Sequence, residues 1–206
     1  TEKSICPTYQ LTESYRLTER ATRYTGLFYE DTLNSCSETQ TVDSFGAFFL
    51  CNNGGPTLLK TDMEIGDLRD EALLNLALSV VGHIHQHDSK CEIAVLTCMK
   101  DTVRALQSVI NSRIKSSKIL IDTVARIQGL TTDICVYVVP NTHYLRALEP
   151  RLFNVATSRA RRQTIIIADK EILGYTRMNV DVRRYLEKLD QEFSFYLPYN
   201  KGKNNL

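Results

Sequence analysis

The chain has 206 residues, of which 43% are hydrophobic and 24% are charged. A chain of this size buries about 70% of its unfolded surface, enough for one substantial core, and the composition is typical of a globular protein rather than a disordered or collagen-like one. No apolar run approaches the roughly 20 residues of a membrane span, and the start shows no signal-peptide pattern, so we expect a cytoplasmic (intracellular) protein without membrane contact.

The formal net charge of the chain is +1, but its first third is acidic and the remainder is basic. Residues 1–72 carry a net charge of −6, and residues 73–206 carry +7. The stretch 146–162 holds five arginines and a single acid, and arginine suits two-pronged contact with phosphate oxygens. The cluster indicates either a phosphate-binding surface or an ordinary solvated face, and composition alone does not separate the two.

The first 56 residues predict a lead-in segment rather than a core of their own. A helical stretch covers 17–29, and a polar region and the turn-rich CNNGG at 51–55 lead to the first buried strand at Thr57. We expect residues 1–56 to pack on the domain that follows.

From residue 57 to residue 192, strand-like apolar runs alternate with segments of helical periodicity. The predicted strands are 57–61, 92–97, 118–122, 133–140 and 163–169, and the predicted helices are 68–84, 100–115, 150–160 and 178–192. Asp67 is the expected cap of the first helix. This alternation is typical of a mostly parallel sheet with helices on both faces. The predicted fold class is therefore α/β, of the doubly wound type, with residues 193–206 as a tail.

In doubly wound sheets, ligands bind beyond the carboxyl ends of the strands. Thr97 and Thr123 each bring a hydroxyl to such a strand end, where it can contact a phosphate group or only cap a turn. The run IIIAD at 165–169 resembles a strand that ends in a magnesium-binding aspartate, but no second acid follows. The sequence has neither a G-x-x-x-x-G-K-[ST] loop nor a G-x-G-x-x-G loop, which disfavours an unaided nucleotide hydrolase.

The cysteines and histidines predict no metal site. The six cysteines include no C-x-x-C pair. Cysteines in apolar stretches such as those of this chain are typically buried free thiols, so we do not expect disulfides. In GHIHQHD, only His83 and His87 have the i, i+4 spacing of a helical zinc site, without a further ligand at a fixed distance.

Two strings centred on arginine remain, LTESYR at 11–16 and NVATSRARR at 154–162, with TVARIQG at 123–129 between them. An arginine beside an aromatic residue and far from any phosphate loop suits a site completed by another domain. There it neutralises charge on a transferred phosphoryl group. Two ordinary surface ion pairs are the alternative interpretation.

In their order, these strings resemble the second RecA-like domain of a superfamily 1 helicase, most closely in the branch of the RNA-surveillance and immunoglobulin-switch helicases. The family has L-x-x-[QS]-Y-R and then FY-x-G-x-L, and this chain has LTESYRLTERATRYTGLFYEDTL at 11–33. A strand ending in I-T-P-Y corresponds to EIAVLTCMKDTVRAL at 92–106, and V-D-T-V-D-S-F-Q-G-R-E corresponds to LIDTVARIQGLTTD at 120–133. The family string R-L-N-V-A-L-T-R-A-R corresponds to RLFNVATSRARRQTIIIAD at 151–169.

The resemblance implies specific roles for seven residues. They are Arg16 and Arg159 as arginine fingers at the γ-phosphate of ATP, Tyr15 as the ring stacked on adenine, Gln128 and Gly129 as part of the nucleotide cleft, and Thr97 and Thr123 as contacts to single-stranded nucleic acid. It also implies that ATP and Mg²⁺ bind jointly with a missing N-terminal RecA-like domain, so that this chain alone is inactive. That domain and single-stranded DNA or RNA are the implied partners.

The chain departs from the family pattern at several positions. The family acid after Q-G-x is Thr131 here, the Asp-Ser pair of V-D-S is Ala125-Arg126, and the Pro-Tyr pair is Cys98-Met99. The resemblance favours the C-terminal motor domain of an ATP-dependent DNA or RNA helicase or translocase. Thr131 favours the alternative, a non-catalytic module of the same fold that binds nucleic acid or protein. A small α/β enzyme that acts alone is disfavoured by the missing glycine-rich loop.

Overall fold

The computed structural model describes residues 12–38, 54–64, 66–127, 129–141 and 144–199. Its strands are β1 Glu13–Ser14, β2 Asn34–Ser35, β3 Gly55–Thr61, β4 Ile93–Thr97, β5 Ile119–Thr123, β6 Thr132–Val138, β7 Ala160–Asp169 and β8 Ser194–Tyr196. Its α-helices are α1 Glu19–Thr25, α2 Glu71–His87, α3 Lys100–Arg113, α4 Tyr144–Ala147, α5 Pro150–Thr157 and α6 Val180–Glu192. Turns of 3-10 helix cover Gly26–Phe28, Val124–Arg126 and Ile172–Gly174.

A six-stranded sheet has the spatial strand order β5–β4–β6–β7–β3–β8. All of its neighbouring strands pair in parallel. Parallel neighbours need long crossover connections, and α2, α3, α5 and α6 lie in such connections. The carboxyl ends of the strands therefore lie at one edge of the sheet and the amino ends at the other. A separate two-stranded parallel sheet joins β1 to β2.

Helices cover both faces of the six-stranded sheet. Apolar side chains of α2 and α3, such as Leu73, Val80 and Leu106, pack on one face, and those of α1, α5 and α6 pack on the other. Successive strand residues supply the two cores in turn, as Val95 and Leu96 do in β4, because side chains alternate between the faces. The predicted α/β class is confirmed. No helix in the described part of the chain has the length and apolar character of a membrane span.

The helix after β3 begins later than the sequence predicted. We expected Asp67 to cap it, but Asp67 instead accepts the backbone N–H of Arg69 within the preceding turn, at 2.8 Å. Asp70 is the cap, because its carboxylate accepts the N–H of Leu73 at 2.8 Å and α2 begins at Glu71. Both aspartates suit a helix cap, so residue type alone does not separate them.

A buried arginine joins the lead-in segment to the sheet. Arg20 of α1 is 5% exposed and donates hydrogen bonds to the carbonyl oxygens of Gly54 and Pro56, where β3 begins. Its guanidinium also lies over the ring of Phe193, 3.6 Å from the ring centroid. One side chain thus holds together α1, the first strand of the sheet and the segment after α6.

Two further contacts keep α1 close to the sheet. The Tyr24 hydroxyl donates to Oε2 of Glu192 at 2.5 Å and so ties α1 to α6. Gly55 has a φ of +89°, and a Cβ at this position would lie 3.1 Å from the backbone nitrogen of Ala21. Only glycine accepts both this backbone conformation and this close approach.

The segment after residue 192, which we expected to be a tail, adds an edge strand to the sheet. β8 pairs with β3, and the N–H of Leu197 donates to the carbonyl oxygen of Lys60 at 2.8 Å. Lys60 also forms an ion pair with Asp190 of α6. The expectation failed because a strand of three residues is too short to show an alternating pattern.

We predict that Arg20→Ala lowers the free energy of unfolding by roughly 2–4 kcal/mol, because two buried carbonyl groups lose their donor and Phe193 loses a packing partner. Urea denaturation of the purified chain measures this. The matched control is Arg23→Ala on the same helix, whose side chain is 61% exposed and pairs with Glu19. It should cost less than about 0.5 kcal/mol. Equal losses in the two variants would contradict the anchoring role of Arg20.

Candidate functional site

Arg16 and Arg159 meet in space although they lie far apart along the chain. Nη1 of Arg16 donates to the carbonyl oxygen of Ser158 at 3.0 Å, across 142 residues of sequence. Arg159 donates from Nε to the carbonyl oxygen of Val155 at 2.8 Å and from Nη1 to that of Leu130 at 3.4 Å. Backbone carbonyl groups therefore hold the two guanidinium groups next to each other.

The end of α5 determines where Arg159 points. Glu149 caps the start of the helix by accepting the N–H of Leu152 at 2.8 Å, and Pro150 occupies the first turn. The helix ends at Thr157, and the last carbonyl groups of a helix lack partners within it. Arg159 turns back and binds one of these carbonyls, that of Val155. A cation at the carboxyl end of a helix also interacts favourably with the helix dipole.

Neither of these arginines has a carboxylate partner within the described part of the chain. Burial lowers the pKa of Arg159, and the nearby positive charge of Arg16 lowers it further. Two like charges held together without an acid repel each other, so a bound anion would stabilise the pair. This arrangement suits a phosphate group.

The other two arginines of the motif are already neutralised. Arg161 pairs with Asp133 at 3.0 Å and with Glu92 at 3.3 Å, and Arg162 pairs with Asp88 at 3.4 Å. The sequence predicted a helix over 150–160, in which Arg159 and Arg162 would share a face. The helix is present but ends at Thr157, and residues 160–169 form β7, so the shared face was wrong. The arginine cluster splits into unpaired and paired members.

Two of the predicted nucleotide-cleft residues, Tyr15 and Gly129, are described, and each directly precedes in sequence a residue that forms the arginine site. Tyr15, next to Arg16, is 75% exposed, and its hydroxyl donates to Oε2 of Glu13 at 3.2 Å. The charge of Glu13 raises the pKa of Tyr15. Gly129 precedes Leu130, whose carbonyl binds Arg159, and it has a φ of +93°, with no atom within 4 Å of where a Cβ would lie. Gln128 lies outside the described residues.

The arginine pair and the two threonines lie at opposite edges of the sheet. Arg159 directly precedes β7, and its carbonyl oxygen accepts the N–H of Thr132, the first residue of β6. Thr97 and Thr123 are the last residues of β4 and β5. The rule that ligands bind at carboxyl ends pointed to the threonines, but the arginines lie at the amino ends. The arginine-centred strings and the motif resemblance, not this rule, indicated them.

The two threonines are neighbours, but both are buried. Thr97 and Thr123 face each other across β4 and β5 in register, and they are 0% and 8% exposed. The sequence predicted hydroxyls open to a phosphate backbone, and the structure instead covers them. The Thr97 hydroxyl has no hydrogen-bond partner of good geometry among the residues that the structure describes, and its polar neighbour is the weakly bonding Cys98 thiol, whose pKa it lowers. A buried hydroxyl without a partner costs stability.

Exposed cations accompany the threonines at the carboxyl edge. Arg126 follows β5, is 68% exposed at its side chain and lies 3.8 Å from Asp122. Arg146 of α4 is exposed, and its charge lowers the pKa of the Cys98 thiol, which burial raises to about 11. Arg146 therefore lies close to the end of β4. In the sequence, Arg126 stood out only because it replaces the serine of the family motif.

The described residues contain no group of three or more His, Cys, Asp or Glu side chains arranged to hold a metal ion. His83 and His87 share one side of α2, with ring centroids 4.5 Å apart. The carboxylate of Asp169 accepts the backbone N–H groups of Met63 at 2.9 Å and Glu171 at 2.8 Å.

The chain is similar to one protein family model and to a solved structure. A family model described as an AAA domain matches residues 1–171. Among solved structures, the C-terminal domain of a possible DNA helicase from Lactobacillus plantarum WCFS1 is 17% identical to the chain, with a TM-score of 0.45. That match covers 79% of this chain and 99% of the other. No curated protein matches the chain.

We predict that Thr97→Val leaves the free energy of unfolding unchanged or raises it by up to about 1 kcal/mol, because the lost hydroxyl has no partner. The matched control is Thr132→Val, which removes a buried hydroxyl that donates to the carbonyl oxygen of Glu92 at 2.6 Å. It should cost about 1–2 kcal/mol. Urea denaturation compares the two, and a Thr97→Val loss as large as that of the control would show that the Thr97 hydroxyl is satisfied.

Proposed function

The chain belongs to the AAA domain family, and we propose that it is the C-terminal motor domain of an ATP-dependent nucleic-acid helicase or translocase of superfamily 1. The observation that carries this proposal is the meeting of Arg16 and Arg159 without a carboxylate partner in the described residues. The four ordered motif strings at 11–33, 92–106, 120–133 and 151–169 support it. They favour the branch of the RNA-surveillance and immunoglobulin-switch helicases.

The two guanidinium groups suit the γ-phosphate of ATP. An arginine has five N–H donors, and the carbonyl anchors use one donor of Arg16 and two of Arg159. Donors remain to bind phosphate oxygens, and the anion relieves the repulsion between the guanidinium groups. Charge that develops on a transferred phosphoryl group strengthens these contacts, which is how arginine fingers accelerate turnover. The exposed ring of Tyr15 offers a stacking surface for adenine.

The rest of the ATP site would come from an N-terminal RecA-like domain of the same protein. This sequence has no phosphate-gripping loop with a lysine, and the arginine pair lacks an acid within the described residues. Bound Mg²⁺ would neutralise phosphate charge, and we assign its ligands to that N-terminal domain. Closure of the cleft between the two domains then brings Arg16 and Arg159 to the γ-phosphate.

Single-stranded nucleic acid would bind at the carboxyl edge. Arg126 and Arg146 supply positive charge there, and the unpartnered Thr97 hydroxyl gains a hydrogen bond when a phosphate oxygen approaches. The buried state of Thr97 and Thr123 means that strand binding must open this edge slightly. The segment 124–131 joins Thr123 to the amino end of β6, where its Leu130 carbonyl binds Arg159. One short segment therefore touches both ligand sites.

A non-catalytic module of the same fold is the second candidate. Thr131 stands where the family has an acid, so a carboxylate contact to the ribose is missing. Such a module would bind nucleic acid or protein without hydrolysing ATP, and the turnover of the full-length protein separates the two functions.

In the full-length protein, we predict that Arg159→Ala lowers ATP turnover by about 10³–10⁵-fold, the effect of an arginine finger in other phosphoryl-transfer systems. Steady-state ATPase assays measure this. Arg161→Ala is the matched control, since Arg161 is already neutralised by Asp133 and Glu92. It should retain most of the turnover. Near-normal turnover in Arg159→Ala, or an equally inactive control, would contradict the assignment.

We also predict that this chain binds single strands weakly, with little sequence preference and with an affinity that falls as salt rises. Replacing Arg126 or Arg146 by alanine should reduce the salt dependence by about one phosphate contact each. Fluorescence anisotropy with labelled strands at several ionic strengths measures the slope. Arg113→Ala is the control, because Arg113 is exposed at the last residue of α3, towards the amino end of β5 and away from the carboxyl edge. Slopes that do not differ among the three variants would argue against this surface.

A further inference from the structure

A cavity of about 430 Å³ opens at the carboxyl ends of β3, β6 and β7. Its volume falls within the range of about 300–1,000 Å³ that small-molecule sites occupy, and the carboxyl edge is where doubly wound sheets bind ligands. It lies at the opposite edge of the sheet from Arg16 and Arg159. Its lining includes Asp62, Asn141, Tyr144, Asp169, Glu171 and Tyr175.

The cavity presents negative charge that the described residues do not neutralise. Lys170 also lines it, but its ammonium group is paired with Asp62 at 2.7 Å. Asp169 is 3% exposed and accepts backbone N–H groups, those of Met63 and Glu171, rather than a cation. The Glu171 carboxylate lies near enough to Lys170 to help raise the pKa of that lysine, but the ion pair of Lys170 is with Asp62. This charge disfavours phosphate groups and favours a positively charged ligand.

Two tyrosines supply the aromatic part of the wall. The ring centroids of Tyr144 and Tyr175 lie 5.4 Å apart, with the rings tilted by 60°. The Tyr144 hydroxyl is buried and has no hydrogen-bond partner within the described part of the chain. Burial raises its pKa, and the charges of Asp169 and Glu171 raise it further, so the phenol stays protonated and both carboxylates lie near it. Because that oxygen has no partner to give up, it would accept an N–H group from a ligand once a small shift of the ring uncovers it.

We propose that this cavity binds an organic cation, with a guanidinium or ammonium group held between the carboxylates of Asp169 and Glu171 and the rings of Tyr144 and Tyr175. A guanidinium group fits a carboxylate with two parallel hydrogen bonds and stacks on aromatic faces. A bare metal ion fits less well, because the described residues offer no cluster of three metal-binding side chains. The cation has two sources, a free small molecule or an arginine side chain of another polypeptide.

Isothermal titration of the purified chain tests the site without ATP or nucleic acid. The probes are agmatine, which represents the free cation, and N-acetyl-arginine amide, which represents the side chain. We expect saturable binding of at least one probe, weakened about tenfold or more in Glu171→Gln and measurably weakened in Tyr144→Phe. Glu30→Gln removes an exposed acid elsewhere and should leave binding unchanged. Circular dichroism verifies that each variant is folded.

N-acetyl-citrulline amide, in which a neutral urea group replaces the guanidinium, is the matched ligand control and should not bind. Tighter binding of agmatine would identify a free small cation as the ligand, and tighter binding of the arginine derivative would identify a polypeptide side chain. The proposal is overturned if neither cation saturates the chain, if the citrulline derivative binds as well as the arginine derivative, or if Glu171→Gln binds as tightly as the unmodified chain.

Discussion

The strands β3 to β8 run in one direction, so that the sheet has one edge of amino ends and one edge of carboxyl ends. Arg159 stands at the amino edge, and Thr97 and Thr123 stand at the carboxyl edge. The segment 124–131 is the physical link between the edges, since it leaves Thr123 and ends beside Arg159 through the Leu130 carbonyl. In the proposed motor function, a shift of this segment at one edge would be passed to the other and would couple ATP hydrolysis to movement along a strand.

The arginine pair depends on how the lead-in segment is attached. Arg20 binds the start of β3, and Tyr24 binds Glu192 of α6, so that α1 and the Arg16 just before it are held against the sheet. Arg16 then reaches the Ser158 carbonyl at the end of α5. Backbone carbonyls orient its guanidinium group without neutralising it, whereas a carboxylate would have done both. The positive charge remains available for an anion.

The pattern of apolar residues along the chain was enough to predict the main strands and helices. The alternation of apolar runs identified the α/β sheet, and the ends of β4 and β5 were predicted within one residue of Thr97 and Thr123. Their burial was not predictable, because it depends on what packs over the strand ends. The three-residue β8 was too short to recognise.

The sequence also could not show which arginines of the cluster are paired with acids and which are not. Arg161 is neutralised by Asp133 and Glu92, which lie 28 and 69 residues away along the chain. No spacing rule separates such a paired arginine from the unpaired Arg159 that stands two positions before it. The cavity between β3, β6 and β7 is likewise assembled from segments distant in sequence, and only the folded sheet brings its carboxylates and tyrosines together.

A structure of the full-length protein with ADP and aluminium fluoride, which imitates the phosphoryl group in transfer, tests the central claim most directly. Our account predicts that donors of Arg16 and Arg159 both lie about 3 Å from the fluoride or phosphate oxygen positions, the distance of a charge-assisted hydrogen bond. A nucleotide bound with its γ-phosphate mimic away from both guanidinium groups would contradict it.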